Sequence, residues 1–120
     1  MAEIVIGGDR LTVRLTAWER MEALHGDVTV PLTAVRSVSV EDQPLTAPYG
    51  MRAPGTSVPG VVKAGTWHSS TEGRQFVLAN RGRRAVRVDL AEGEVDFDVL
   101  VVAVADPEGT AAQVRAAAGL

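Results

Sequence analysis

The stretch Phe97–Val104, Phe-Asp-Val-Leu-Val-Val-Ala-Val, is largely apolar on both of its alternating faces and runs directly into helix-start chemistry. Eight residues rich in β-branched side chains favour a strand and are too few for a buried helix. Val99, Val101 and Ala103 then point one way, and Leu100, Val102 and Val104 the other, so a single covering layer would leave one face wet. Asp106 suits an N-cap, because its carboxylate can accept a free amide of the first turn, and Pro107 suits the first helical position, where no N–H is needed. The spacing predicts a closing helix over about Asp106–Ala118, stopped by Gly119. Its apolar face is thin, Ala111, Val114 and Ala118, and Gly109 is expected to weaken its first turn.

The rest of the chain reads mainly as short strands. Glu3–Gly7 and Arg10–Thr16 form a hairpin around Gly7-Gly8-Asp9, with Leu11, Val13 and Leu15 inward. Because a period-2 strand follows Ile-Val-Ile-Gly-Gly, where a dinucleotide-binding turn needs a helix, a nucleotide-binding α/β domain is disfavoured. Thr16-Ala-Trp-Glu19 has the spacing of a capping box and predicts a short helix over Ala17–Leu24. Its expected apolar stripe is Ala17, Met21 and Leu24, with Glu19, Arg20 and Glu22 facing water. Strands follow at Val28–Pro31 and Val35–Asp42. Between Gln43 and Gly60 fall Pro44, Pro48, Pro54 and Pro59, no period survives, and a long loop is predicted. Val61–His68, Gln75–Asn80, Arg84–Leu90 and the final strand read as an antiparallel meander.

At 120 residues the chain is read as one domain, residues 1–120. It has no cysteine, which excludes disulfides, zinc–thiolate sites and a thiol nucleophile. No segment approaches the ~20 apolar residues of a membrane span, and the opening lacks the basic region of a signal peptide, so a cytoplasmic location is expected. A net charge of −3 argues against nucleic acid as a partner. The fold class expected is mainly β: a small barrel or two-sheet sandwich of about seven to eight antiparallel strands, with a C-terminal capping helix and a short extra helix near the N-terminus.

Three segments, Val30–Val38 (Val-Pro-Leu-Thr-Ala-Val-Arg-Ser-Val), Arg52–Gly60 (Arg-Ala-Pro-Gly-Thr-Ser-Val-Pro-Gly) and Leu100–Glu108 (Leu-Val-Val-Ala-Val-Ala-Asp-Pro-Glu), together with the order of strands ending in a helix, resemble bacterial pleckstrin-homology-like domains. The resemblance implies a bent seven-stranded barrel plugged at one end by the helix, and it implies a fold more firmly than a function. Several members of that family form homo-oligomers.

The sharpest charge feature is an arginine cluster, Arg81, Arg83, Arg84 and Arg87, followed by Asp89, Glu92, Glu94, Asp96 and Asp98. Successive meander turns lie at opposite ends of a sheet, so a basic end and an acidic end are expected. Guanidinium forks at a strand tip match phosphate oxygens, which makes Arg81, Arg83 and Arg84, with Arg52 on the long loop, the candidates for an anionic ligand such as a phospholipid headgroup. Tyr49 would add an aromatic face to that loop. Trp18 and Trp67 read as core or rim packing. His25 and His68 have no metal-ligand spacing, Ser69, Ser70 and Thr71 lack a nucleophile elbow, and Asp96 with Asp98, on one strand face by period 2, fits an acid/base pair and an exposed acidic turn equally well. The expectation is a non-enzymatic interaction module without cofactor or metal. Its partner would be another copy of itself or another protein, because the thin helix would leave apolar surface on the final strand, to be closed either by the Ala17–Leu24 helix within the chain or by another copy of the domain.

Overall fold

The computed structural model describes residues 1–120. β1 (Glu3–Gly7) and β2 (Arg10–Arg14) form the hairpin, in register from Glu3 opposite Arg14 to Gly7 opposite Arg10, and β3 (Val28–Pro31) joins β2 antiparallel. Between them lies helix α1 (Ala17–Ala23). A second sheet contains β4 (Val35–Glu41), β5 (Met51–Val58), β6 (Val62–Ser69), β7 (Gly73–Asn80), β8 (Ala85–Leu90) and β9 (Val99–Ala103), in the order β4-β8-β9-β7-β6-β5. Helix α2 (Pro107–Ala118) closes the chain, capped by Asp106 and ended by Gly119 in the left-handed conformation. No helix is long and apolar enough to cross a membrane.

The fold is mainly β with a C-terminal helix, as expected, but it has nine strands and the sheets form an open sandwich. Leu11 and Val13 of the small sheet, Phe76, Leu78, Val88, Leu100 and Val102 of the large one, and Ala111 and Val114 of α2 share the main core. Every residue of β9 is buried. Its other face, Val99 and Val101, packs with Trp67, Val77, Ala79 and Ala85 under Tyr49, against which Leu45 and Ala47 of the β4–β5 connection also pack. The apolar surface expected on this strand, left for the Ala17–Leu24 helix or a second copy to close, is therefore covered within the chain by the small sheet, α2 and the β4–β5 connection.

The meander does not form. β9 inserts between β7 and β8, parallel to β7 (Gln75 opposite Val99, Leu78 opposite Val102) and antiparallel to β8. At the end of a meander β9 would be an edge strand; in the middle of the sheet both of its ladders are paired and both of its faces are covered. Nor is Gln43–Gly60 one loop, since β5 occupies Met51–Val58 and pairs with β6. Its period is broken by a register shift between Arg52 and Gly55 that contains Pro54, which an edge strand with a bulge tolerates. Gly55 and Gly65 face each other there, so close that a Cβ on either would strike the opposite backbone.

At α2 the cap is as predicted, with Asp106 Oδ1 accepting the Gly109 N–H at 3.1 Å. A Cβ at position 109 would collide with the same carboxylate, so the glycine that weakens the turn by propensity also admits its cap. On the free side of edge strand β4, Arg115 of α2 donates twice to the Val38 carbonyl, at 3.2 and 2.9 Å, blunting that edge.

Candidate interaction surface

Helix α1 carries the least expected feature of the molecule. The capping box forms, with Glu19 N–H donating to Thr16 Oγ1 at 3.2 Å and Thr16 N–H donating to Glu19 Oε1 at 2.9 Å. Glu19 Oε2 also accepts the Ala2 N–H at 3.1 Å, which draws this carboxylate inward until only 8% of the residue is exposed. The face pointing inward is thus Glu19 and Ala23, and not the apolar stripe. Met21 and Leu24 face solvent at 67% and 68% exposure, and Trp18, expected in the core or at its rim, is 67% exposed. Leu24 also holds the left-handed conformation, φ 52°, at the helix C-cap, a position glycine usually fills.

Trp18 lies next to other exposed apolar groups. α1 packs over β5 and β6, where Thr56 Oγ1 donates to the Glu22 carbonyl at 2.7 Å. Trp18, Met1, Glu22, Val61, Val62 and Asn80 line a groove of about 320 Å³ at the end of the sandwich where β5 turns into β6 and β7 runs into β8. The two turns touch, since Arg81 N–H donates to the Val61 carbonyl at 2.9 Å. Of the large hydrophobic side chains exposed on this protein, Met1, Trp18, Val58 and Val61 fall at this end, Met21 and Leu24 follow on α1 and its C-cap, Met51 is at the other end of β5, and Leu120 is at the C-terminus.

The four arginines proposed for an anion are not one cluster. Arg81 and Arg83 are exposed at the β7–β8 turn and make no ion pair. Arg84 is engaged by Glu108 of α2 through both of its terminal nitrogens, the Nη2–Oε2 contact at 2.9 Å, and by Asp42 at 3.6 Å. Hydrogen bonds to Glu108 raise the Arg84 pKa above its ordinary value, and the same bonds hold Glu108 below the usual carboxylate range. Arg87 is paired with Glu72 and Asp89, each at 3.0 Å. Arg52, on β5 and not on a loop, stands opposite Trp67, about 16 Å along β6 from Val62 at ordinary strand rise.

Several other candidates have structural partners. Tyr49 is buried, donates to the Pro44 carbonyl at 2.6 Å, and offers no free aromatic face. Burial pushes its hydroxyl well above the ordinary phenol range, with Glu41 adding to the shift and Arg87 opposing it. Gln75, fully buried beside it, donates to the Tyr49 carbonyl at 2.7 Å, while its own Oε1 has no partner. Trp67 lies in the core. His25 packs against the rings of Phe76 and Phe97, with centroids 5.1 and 5.6 Å away. Asp98 Oδ2 accepts the Arg74 N–H at 2.9 Å. At the end of the sheet opposite Arg81, a cleft of about 360 Å³ is lined by Arg36, Glu72, Asp89, Glu92 and Asp98 among others. No group of three or more His, Cys, Asp or Glu side chains is placed to hold a metal ion.

By fold this is a two-sheet β sandwich closed by a C-terminal helix, with exposed apolar side chains on α1 and two arginines without ion pairs at the β7–β8 turn. No family model, curated protein or solved structure matches the chain.

Proposed function

We propose that the chain is a non-enzymatic interaction module that associates with copies of itself through the outward face of α1. The observation that carries this reading is the inverted helix: Trp18, Met21 and Leu24 face water while a glutamate is turned inward. Glu19 serves the domain itself through its bonds to Ala2 and Thr16, but three bulky apolar side chains left in water add nothing to the stability of an isolated domain, and apolar patches of this kind mark surfaces that become covered. Leu24 strengthens the case, because a bulky residue held at positive φ is strained as well as exposed, and such strain points to a use. Membership of the pleckstrin-homology-like family belongs to the same proposal. The three similar segments favour it, although the parallel β7–β9 pair and the open sandwich depart from that barrel.

Light-scattering mass over a range of protein concentration tests the reading. The wild type should grow heavier with concentration, and Met21→Glu, which places a charge on an exposed position, should remain a monomer. A wild type that stays monomeric at high micromolar concentration ends the proposal.

A second reading has its own observation, the lack of any ion pair at Arg81 and Arg83. These two guanidinium groups would bind a phosphate oxyanion, free or in a phospholipid headgroup. Titration with inorganic phosphate and sedimentation with anionic vesicles, each compared with an Arg81→Glu, Arg83→Glu variant, separate the two sources. If neither probe binds the wild type, this reading is withdrawn.

A further inference from the structure

We infer that the self-association proposed above is a two-fold dimer in which Trp18 of each copy enters the groove beside Trp18 of the other. A contact about a two-fold axis uses the same patch twice, so the patch must be complementary to itself. This one carries a projection and a recess side by side: Trp18 stands exposed at the rim of a groove of about 320 Å³ whose apolar lining is Met1, Val61 and Val62. It also carries both signs of charge. Glu22 lines the groove on the helix side, and Arg81 follows Asn80 on the sheet side, next to Val61. Neither side chain has an ion-pair partner within the chain. A half-turn that lays Trp18 over the facing groove sets Glu22 of one copy toward Arg81 of the other, giving an apolar centre with a charged rim. Such rim pairs mainly steer encounter and hold register, while the buried indole supplies most of the affinity.

The competing occupants fit less of the surface. Docking the Arg81–Arg83 turn head-to-tail into the acidic cleft at the far end would leave Trp18 wet, because the only apolar residues lining that cleft, Leu90 and Val99, are already buried. An anionic membrane would accept Trp18 and Arg81 but would face Glu22 with like charge.

The full chain supplies its own reporter, since Trp67 is buried and Trp18 is the only other tryptophan. With rising concentration, light-scattering mass should reach two copies and stop, while tryptophan emission shifts to the blue as Trp18 leaves water. Trp18→Ser should remain monomeric. Arg81→Glu should weaken the dimer about tenfold, and Glu22→Arg combined with Arg81→Glu should restore it, because the swapped charges again face each other. Circular dichroism verifies that each variant, altered only at exposed or half-exposed positions, keeps the β signature. A dimer unaffected by Arg81→Glu, or growth past two copies, overturns the two-fold geometry and leaves self-association standing. A wild-type monomer overturns both. A blue shift that appears only with phosphatidylglycerol vesicles assigns the surface to a membrane and likewise removes the dimer.

Discussion

Glu19 Oε2 accepts the backbone N–H of Ala2 at 3.1 Å, tying helix α1 to the residue that precedes strand β1. Because Glu19 Oε1 also accepts the Thr16 N–H, one carboxylate holds the chain start and the helix start together. Glu19→Ala should therefore leave two backbone donors unpaired and lower stability by about 1–3 kcal/mol. Urea unfolding measures this; a loss within a few tenths of a kcal/mol would mean that water replaces both bonds.

Leu24→Gly should separate stability from association. Removing the Cβ from a left-handed position relieves about 1–2 kcal/mol of backbone strain, offset in part by glycine's greater freedom in the unfolded chain. The monomer should become more stable by urea unfolding while its association, read by light scattering, becomes weaker. If both fall together, Leu24 holds the monomer and does not serve a partner.

Gly65→Ala should detach the edge strand. At φ 143° an alanine is strained, and its Cβ would meet the Pro54 carbonyl across the β5–β6 ladder, for a cost of about 1–3 kcal/mol. Amide exchange should quicken along β5 before it does in β9. Uniform quickening would show instead that β5 unfolds only with the whole sheet.

Tyr49 predicts alkaline sensitivity. Its pKa is raised in the fold, so the folded state keeps a proton that the unfolded chain releases near the ordinary phenol value of about 10. The stabilisation is complete below that pH and is lost as pH rises above it, toward the raised folded value. As the only tyrosine, Tyr49 can be followed by tyrosinate absorbance, which should appear together with unfolding. Ionisation near pH 10 in a still-folded protein would show that the hydroxyl is accessible. Tyr49→Phe, which removes the bond to the Pro44 carbonyl, should cost about 0.5–1.5 kcal/mol by urea unfolding.

What the sequence determined was local. The β1–β2 hairpin, the capping box at Thr16, the Asp106-Pro107 helix start, the Gly119 stop and the two apolar faces of β9 depend on residues within a few positions of one another, and each formed. Tertiary structure decided what local pattern leaves open. The turns on either side of β8 are compatible with a meander, but only the centre of the sheet can bury both faces and pair both ladders of β9. The prolines of Gln43–Gly60 hide a strand whose partner, β6, corrects its register through a bulge. The stripe of α1 was legible as apolar, yet its direction was set by the distant amide of Ala2, which holds Glu19 inward. Arg81, Arg83, Arg84 and Arg52 looked alike as guanidinium groups; Glu108 and Asp42, remote in sequence, engaged Arg84, and strand pairing carried Arg52 away from the others. A hydrogen bond or ion pair between residues far apart in the chain has no periodicity to betray it, so its effect on which side chains remain free appears only once the chain is folded.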